Sequence, residues 1–130
     1  MMAVSAREVA FAEELFAGLG DLTVKRLFGG AGLYSEGVIF GAIMDETVYL
    51  KADAALIADL EVEGSAPWVY TYPSGPKAGQ TIPMGYWSLP EAALDDPQEA
   101  CDWARRALKV ALQAKDAKQA NRRKRQYPDS

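Results

Sequence analysis

Residues 25–51 read KRLFGGAGLYSEGVIFGAIMDETVYLK, and this stretch decides the fold. A β-rich segment, Thr23 to Phe28, runs into Gly29-Gly30-Ala31-Gly32, and Leu33-Tyr34 begins a second strand turned by Ser35-Glu36-Gly37. In Val38 to Met44 both residue parities are apolar, which predicts a central strand covered on both faces. After Asp45-Glu46, Thr47 to Lys51 alternates cleanly, with Val48 and Leu50 on one face. Links this short can only reverse the chain, so the four strands form an antiparallel meander.

Helices flank the meander. Ser5-Ala6-Arg7-Glu8 is a capping box, in which Ser5 accepts from the Glu8 amide and Glu8 reaches back. Val9, Ala12, Phe16 and Leu19 then recur at helical spacing until Gly18 and Gly20 stop the helix. Asp53 caps a short second helix with Leu56, Ile57 and Leu60 inward and Gly64 at its end. Trp68 to Tyr72 is a fifth strand, and 73–79 is a loop of turn residues. Thr81 to Leu89 resumes strand character, with Pro83 and Gly85 placing it at an edge or on a bulge. Pro90 to Leu94 adds a helical turn. Asp96-Pro97-Gln98-Glu99 opens the last helix, whose apolar stripe is Cys101, Ala104, Leu108 and Ala111.

The expected fold is therefore α+β: a single antiparallel sheet of five or six strands flanked by three helices, in the order α-β-β-β-β-α-β-β-α. Residues 1–112 form one domain. Residues 113–130 hold no large apolar residue before Tyr127 and are expected to be a basic tail, a helical extension or disordered.

Composition removes whole classes of chemistry. The chain has one cysteine, Cys101, and no histidine. It can form no internal disulfide, no usual zinc site and no Ser-His-Asp or Cys-His relay. An enzyme would have to use a carboxylate, lysine, tyrosine or serine, and no such constellation stands out. The reading is non-enzymatic, with no cofactor or metal. No apolar run approaches the roughly 20 residues needed to cross a bilayer, and the N-terminus does not read as a signal peptide, so no membrane partner and a cytoplasmic location are expected.

The formal net charge of −4 is unevenly spread. Residues 1–104 hold 5 Lys/Arg against 16 Asp/Glu, a net of −11, while residues 105–130 hold 9 against 2, a net of +7. Arg122, Arg123, Lys124 and Arg125 are the candidate nucleic-acid contact, able to neutralise phosphates in a salt-sensitive way. A solubilising end, or a tail folded back on the acidic body, is the plainer reading.

The remaining motifs carry the same two-sided weighing. Gly29-Gly30-Ala31-Gly32 could form an anion nest, but it lacks phosphate-loop spacing and leads into a strand, so close backbone approach is favoured. Lys25, Arg26 and Lys51 could hold an anion, and the pairs Asp45-Glu46 and Asp95-Asp96 a hard cation, yet each suits a solvated strand, turn or cap. Tyr34, Tyr49, Trp68, Tyr70, Tyr72, Tyr86 and Trp87 all fall on strands. Exposed strand aromatics can stack bases, but the acidic body argues for core packing and a protein-facing surface. Trp68, Tyr70 and Tyr72 share one strand face and are the candidate partner or dimer surface.

Three separated stretches, Arg26 to Tyr34, Tyr49 to Asp53 and Tyr86 to Pro90, resemble the TfoX N-terminal domain family in content and order, with Asp96-Pro97 and Trp103 to Leu108 adding to the likeness. The resemblance covers about residues 5–112. It implies a secretion-chaperone-like α+β domain and a protein-interaction role like that of the TfoX (Sxy) regulators of natural competence, which work with a cyclic-AMP-dependent activator in transcription. Those founding members generally carry a second, C-terminal domain, whereas here a stand-alone N-terminal domain is expected. The family offers no catalytic residues to carry over. The leading expectation is thus a protein-interaction domain, docking a partner or its own copy as a homodimer. The alternatives are a weak nucleic-acid binder acting through the tail and an enzyme of unknown type using a carboxylate or tyrosine.

Overall fold

The computed structural model describes the backbone of residues 4–27 and 29–126, and side chains over that range except at Leu27, Pro83 and residues 123–126. Phe28, read above as the end of the first strand, lies outside the described residues.

Local signals form the elements they predict. Helix α1 (Ala6–Leu15) starts on the capping box: the Glu8 amide donates to Ser5 Oγ at 3.1 Å, and the Ser5 amide donates to Glu8 Oε1 at 3.0 Å. It passes into a 3-10 turn at Ala17–Leu19, and Gly20 ends it at φ +84°. Strands β1 (Thr23–Leu27), β2 (Gly30–Ser35), β3 (Val38–Met44) and β4 (Thr47–Lys51) make the meander. Helix α2 (Ala54–Val62) begins where the Leu56 amide donates to Asp53 Oδ1 at 3.0 Å. Strands β5 (Pro67–Thr71) and β6 (Thr81–Ser88) follow, then a 3-10 turn at Glu91–Ala93. Helix α3 (Pro97–Gln126) starts at Asp96, whose carboxylate accepts from the Glu99 amide at 3.2 Å.

All six strands join one antiparallel sheet in the order β1-β2-β3-β4-β6-β5. The α+β architecture and element order match the expectation. Helix α3 runs 30 residues, about 45 Å at 1.5 Å per residue, so its last turns extend well past the core.

The three helices contribute to a single core cluster on one side of the sheet. Ala12, Leu15 and Phe16 from the first helical stretch, Leu56 and Leu60 from α2, and Ala100, Ala104, Ala107, Leu108 and Ala111 from α3 meet Ala31, Leu33, Phe40, Ile43, Val48 and Leu50 of the strands. Phe16 and Phe40 pack edge to face at 5.7 Å, and both are fully buried. Cys101 is buried as expected, its thiol directed at the Leu15 carbonyl at 3.6 Å.

Strand β3 is interior to the sheet and largely buried on both faces, as expected, but helices cover one face only. Its doubly apolar pattern has another cause. Leu33 pairs with Gly41 and Tyr34 with Ile39, which leaves Phe40 as an extra residue, a β-bulge that turns it into the core. On the opposite face Ala42 sits between Gly32 and Tyr49, and it is buried without belonging to the core cluster.

Strand β6 also departs from its edge reading. It lies between β4 and β5, with Gly85 at φ +78° beside the register shift that Pro83 and Gly85 foretold. Strand β4 pairs only with Tyr86–Ser88, so β5 and the first part of β6 project as a two-stranded arm.

Candidate functional site

The strands place three surfaces that could do work. The first is the open face of the sheet. Strand pairing puts Thr23, Lys25, Gly32, Tyr34, Ile39, Ala42, Tyr49, Lys51, Tyr86 and Ser88 on the side opposite the core cluster. The rings there touch one another: Tyr49 and Trp68 at 6.2 Å, and Trp68 and Tyr86 edge to face at 6.4 Å. The Tyr34 ring packs against Gly32, since a Cβ there would come within 2.8 Å of it. Lys25 Nζ stands 4.9 Å from the Tyr34 centroid, and Lys51 pairs across the strands with Tyr86.

Tyr86 shows that these rings shelter each other. Burial first, and then the neighbouring Tyr34 phenol, push its hydroxyl above the ordinary tyrosine value of 10.0. A raised folded-state pKa favours the neutral form, so this contribution is complete below pH 10 and is lost as pH rises through the folded value. Tyr86→Phe is expected to flatten the alkaline limb of the stability curve while leaving stability near neutrality changed by less than 1.5 kcal/mol or so. Thermal melts of the two proteins between neutral and strongly alkaline pH check this.

The second surface is the β5–β6 arm. Four of the seven exposed large hydrophobics among the described residues are on it: Val69, Tyr70, Ile82 and Met84. The three residues predicted as a partner surface divide here. Trp68 is half-buried among Tyr49 and Tyr86, whereas Tyr70 and Tyr72 form their own edge-to-face pair at 5.2 Å. Tyr72 lies just past the end of β5 and carries Lys77 5.7 Å from its ring centroid. Pairing with β6 satisfies one side of β5, and its other side is a sheet edge. The opposite edge, β1, carries Lys25 and Arg26, charges of the kind that discourage strand addition. From Gly64 to Pro76 the sequence has no charge at all, so β5 carries no charged guard and only Pro67 at its start lacks a backbone donor.

The third is an apolar groove of about 410 Å³, floored by Phe11, Ile43, Val48, Leu89 and Leu94 with Arg7, Glu8 and Glu46 at its rim. The Glu8 carboxylate is already engaged at the helix cap. Among the described residues no group of three or more His, Cys, Asp or Glu could hold a metal, and no helix is long and apolar enough to cross a membrane.

The glycine run is explained by packing. A Cβ on Gly30 would lie 2.3 Å from the Ile43 carbonyl oxygen, so β2 can approach β3 there only without a side chain. Arg26 donates to the Val4 carbonyl and leaves the anion reading without a second strand cation beside Lys25. Of the candidate nucleic-acid residues, Arg122 is exposed on α3, while the side chains of Arg123, Lys124 and Arg125 lie outside the described residues. Because the helix continues through them, Lys115, Lys118, Arg122 and Arg125 fall at steps of three and four, one helical face. Contiguity in the sequence hid that stripe.

This antiparallel sheet with all three helices contributing to one core cluster defines a small α+β domain. The TfoX N-terminal domain profile matches residues 14–111, and the chain belongs to that family. A search of curated proteins returns no match.

Proposed function

We propose that the chain is a non-enzymatic protein-interaction domain, acting in transcriptional regulation as its family resemblance suggests, and that β5 is its docking strand with a second copy as the first occupant. The observation that carries this is the uncharged, exposed edge of the arm. Antiparallel self-pairing centred on Val69 would set Trp68 opposite Tyr70 and Pro67 opposite Thr71 of the other copy, extending the sheet through backbone hydrogen bonds. An uncharged edge is also where two copies with acidic bodies can meet with the least repulsion.

Light scattering over a concentration series tests it. The chain should pass from monomer to dimer, and Val69→Lys should stay monomeric at concentrations where the parent is dimeric. A parent that remains monomeric throughout, or a Val69→Lys dimer of unchanged strength, refutes the reading.

A second reading keeps weight because of the cationic stripe on α3. Lys115, Lys118, Arg122 and Arg125 could run along a phosphate backbone without sequence preference. The charge-neutralised chain described below separates this from any other nucleic-acid site.

A further inference from the structure

The sheet has a charge property that the whole-chain balance conceals. The chain contains 18 Asp and Glu, yet none of the residues in strands β1 to β6 is one of them. The strands do contain Lys25, Arg26 and Lys51. Among the described residues the carboxylates lie on helices, turns and loops, with Asp45 and Glu46 at a strand end and Asp21 and Glu36 lining a pocket beside Lys25 and Tyr34. Two cations stand on the open side beside tyrosines, Lys25 by Tyr34 and Lys51 across from Tyr86, and Lys77 stands by Tyr72 past the end of β5.

Tyr34 on β2, Tyr49 on β4, Tyr86 on β6 and Trp68 on β5 form a row, interrupted at β3 by Ile39 and Ala42, that spans about 19 Å at the usual strand spacing. These rings belong to neither the core cluster nor its packed fringe among the described residues, so burying the core does not account for them. Flat rings beside ammonium groups, on strands that themselves carry no carboxylate, suit a ligand that alternates flat rings with anions. We propose that the open face binds single-stranded nucleic acid, taking about two or three bases on the row that begins at Tyr34 and pairing its phosphates with Lys25 and Lys51. This site is distinct from the β5 edge and from the α3 stripe, and it does not depend on dimerisation.

The face makes a different demand on the ligand from the stripe: it needs bases as well as phosphates. Fluorescence anisotropy of the full chain with labelled oligothymidylate and with an abasic oligomer of the same length separates the two. Oligothymidylate is expected to bind about tenfold or more tightly than the abasic strand, and Tyr34→Leu, which keeps an apolar side chain over Gly32, should erase that difference. Lys25→Gln with Lys51→Gln should lower the slope of log affinity against log salt by about 1.4, two phosphates at 0.7 each. Replacing Lys115, Lys118, Arg122 and Arg125 together by glutamine should leave the preference for bases in place. Equal affinity for the two oligomers, or loss of all binding on neutralising the stripe alone, overturns the proposal. So does failure to bind oligothymidylate, or tighter lysine-dependent binding of a polyglutamate peptide. Thermal melts confirm that each variant is folded.

Discussion

Phe40→Ala is expected to lower the unfolding free energy by about 3–5 kcal/mol, the usual range for truncating a buried phenylalanine. The site offers no easy collapse. Phe40 is fully buried, its ring meets Phe16 edge to face, and it occupies a bulge that holds it there by the pairing of its two neighbours. Against a typical total of about 5–15 kcal/mol, such a loss is a large share, corresponding to a drop of about 10–20 °C in Tm. Phe40→Leu should recover part of it, because volume is mostly restored while the ring contact is not. Differential scanning calorimetry of the three proteins measures this. A Phe40→Ala loss below about 1 kcal/mol would mean that the bulge is not the anchor of the core.

The second large effect is at Gly30. Adding one methyl in Gly30→Ala drives a carbon into the Ile43 carbonyl oxygen and the Met44 sulfur, both 2.3 Å from the ideal Cβ position. The thioether can swing aside, but the carbonyl belongs to an interior strand. The expected loss is about 1–3 kcal/mol, the usual cost of overpacking. Denaturant unfolding reads it directly. The result bears on function too, since an anion nest in Gly29-Gly30-Ala31-Gly32 would be stabilised by phosphate. Phosphate is expected to leave the midpoint where other kosmotropic salts put it, and a specific upward shift would restore the nest reading.

What the sequence disclosed and what it concealed follow a physical division. Ser5, Asp53 and Asp96 act within one helical turn, so their caps were legible from neighbours alone. The meander was legible because links as short as Asp45-Glu46 leave no alternative to reversal. Sidedness was not. An apolar residue at each position of Val38 to Met44 reads the same whether a helix or a layer of tyrosines covers the second face, and a bulge at Phe40 resets the parity midway. The arm was hidden for a similar reason, since only the three β4–β6 pairs show how little of β6 the sheet holds. The cationic stripe of α3 waited on knowing that the helix does not stop after Leu112. The carboxylate-free strands were visible all along, but their meaning needed the strands assembled.

The projecting arm has a consequence for motion. It is tied to the meander through three residue pairs at Tyr86–Ser88 and through the Ala52 amide on the Gly85 carbonyl at 3.1 Å, while β1 to β4 are laced together along their lengths. Regions with few buried contacts open at a smaller free-energy cost than the core and do so as units. The distal part of the arm is such a unit, so it can bend or fray toward a visiting strand while the bulged, Phe40-anchored body stays closed. Recognition at β5 is thereby decoupled from the stability of the domain that carries it.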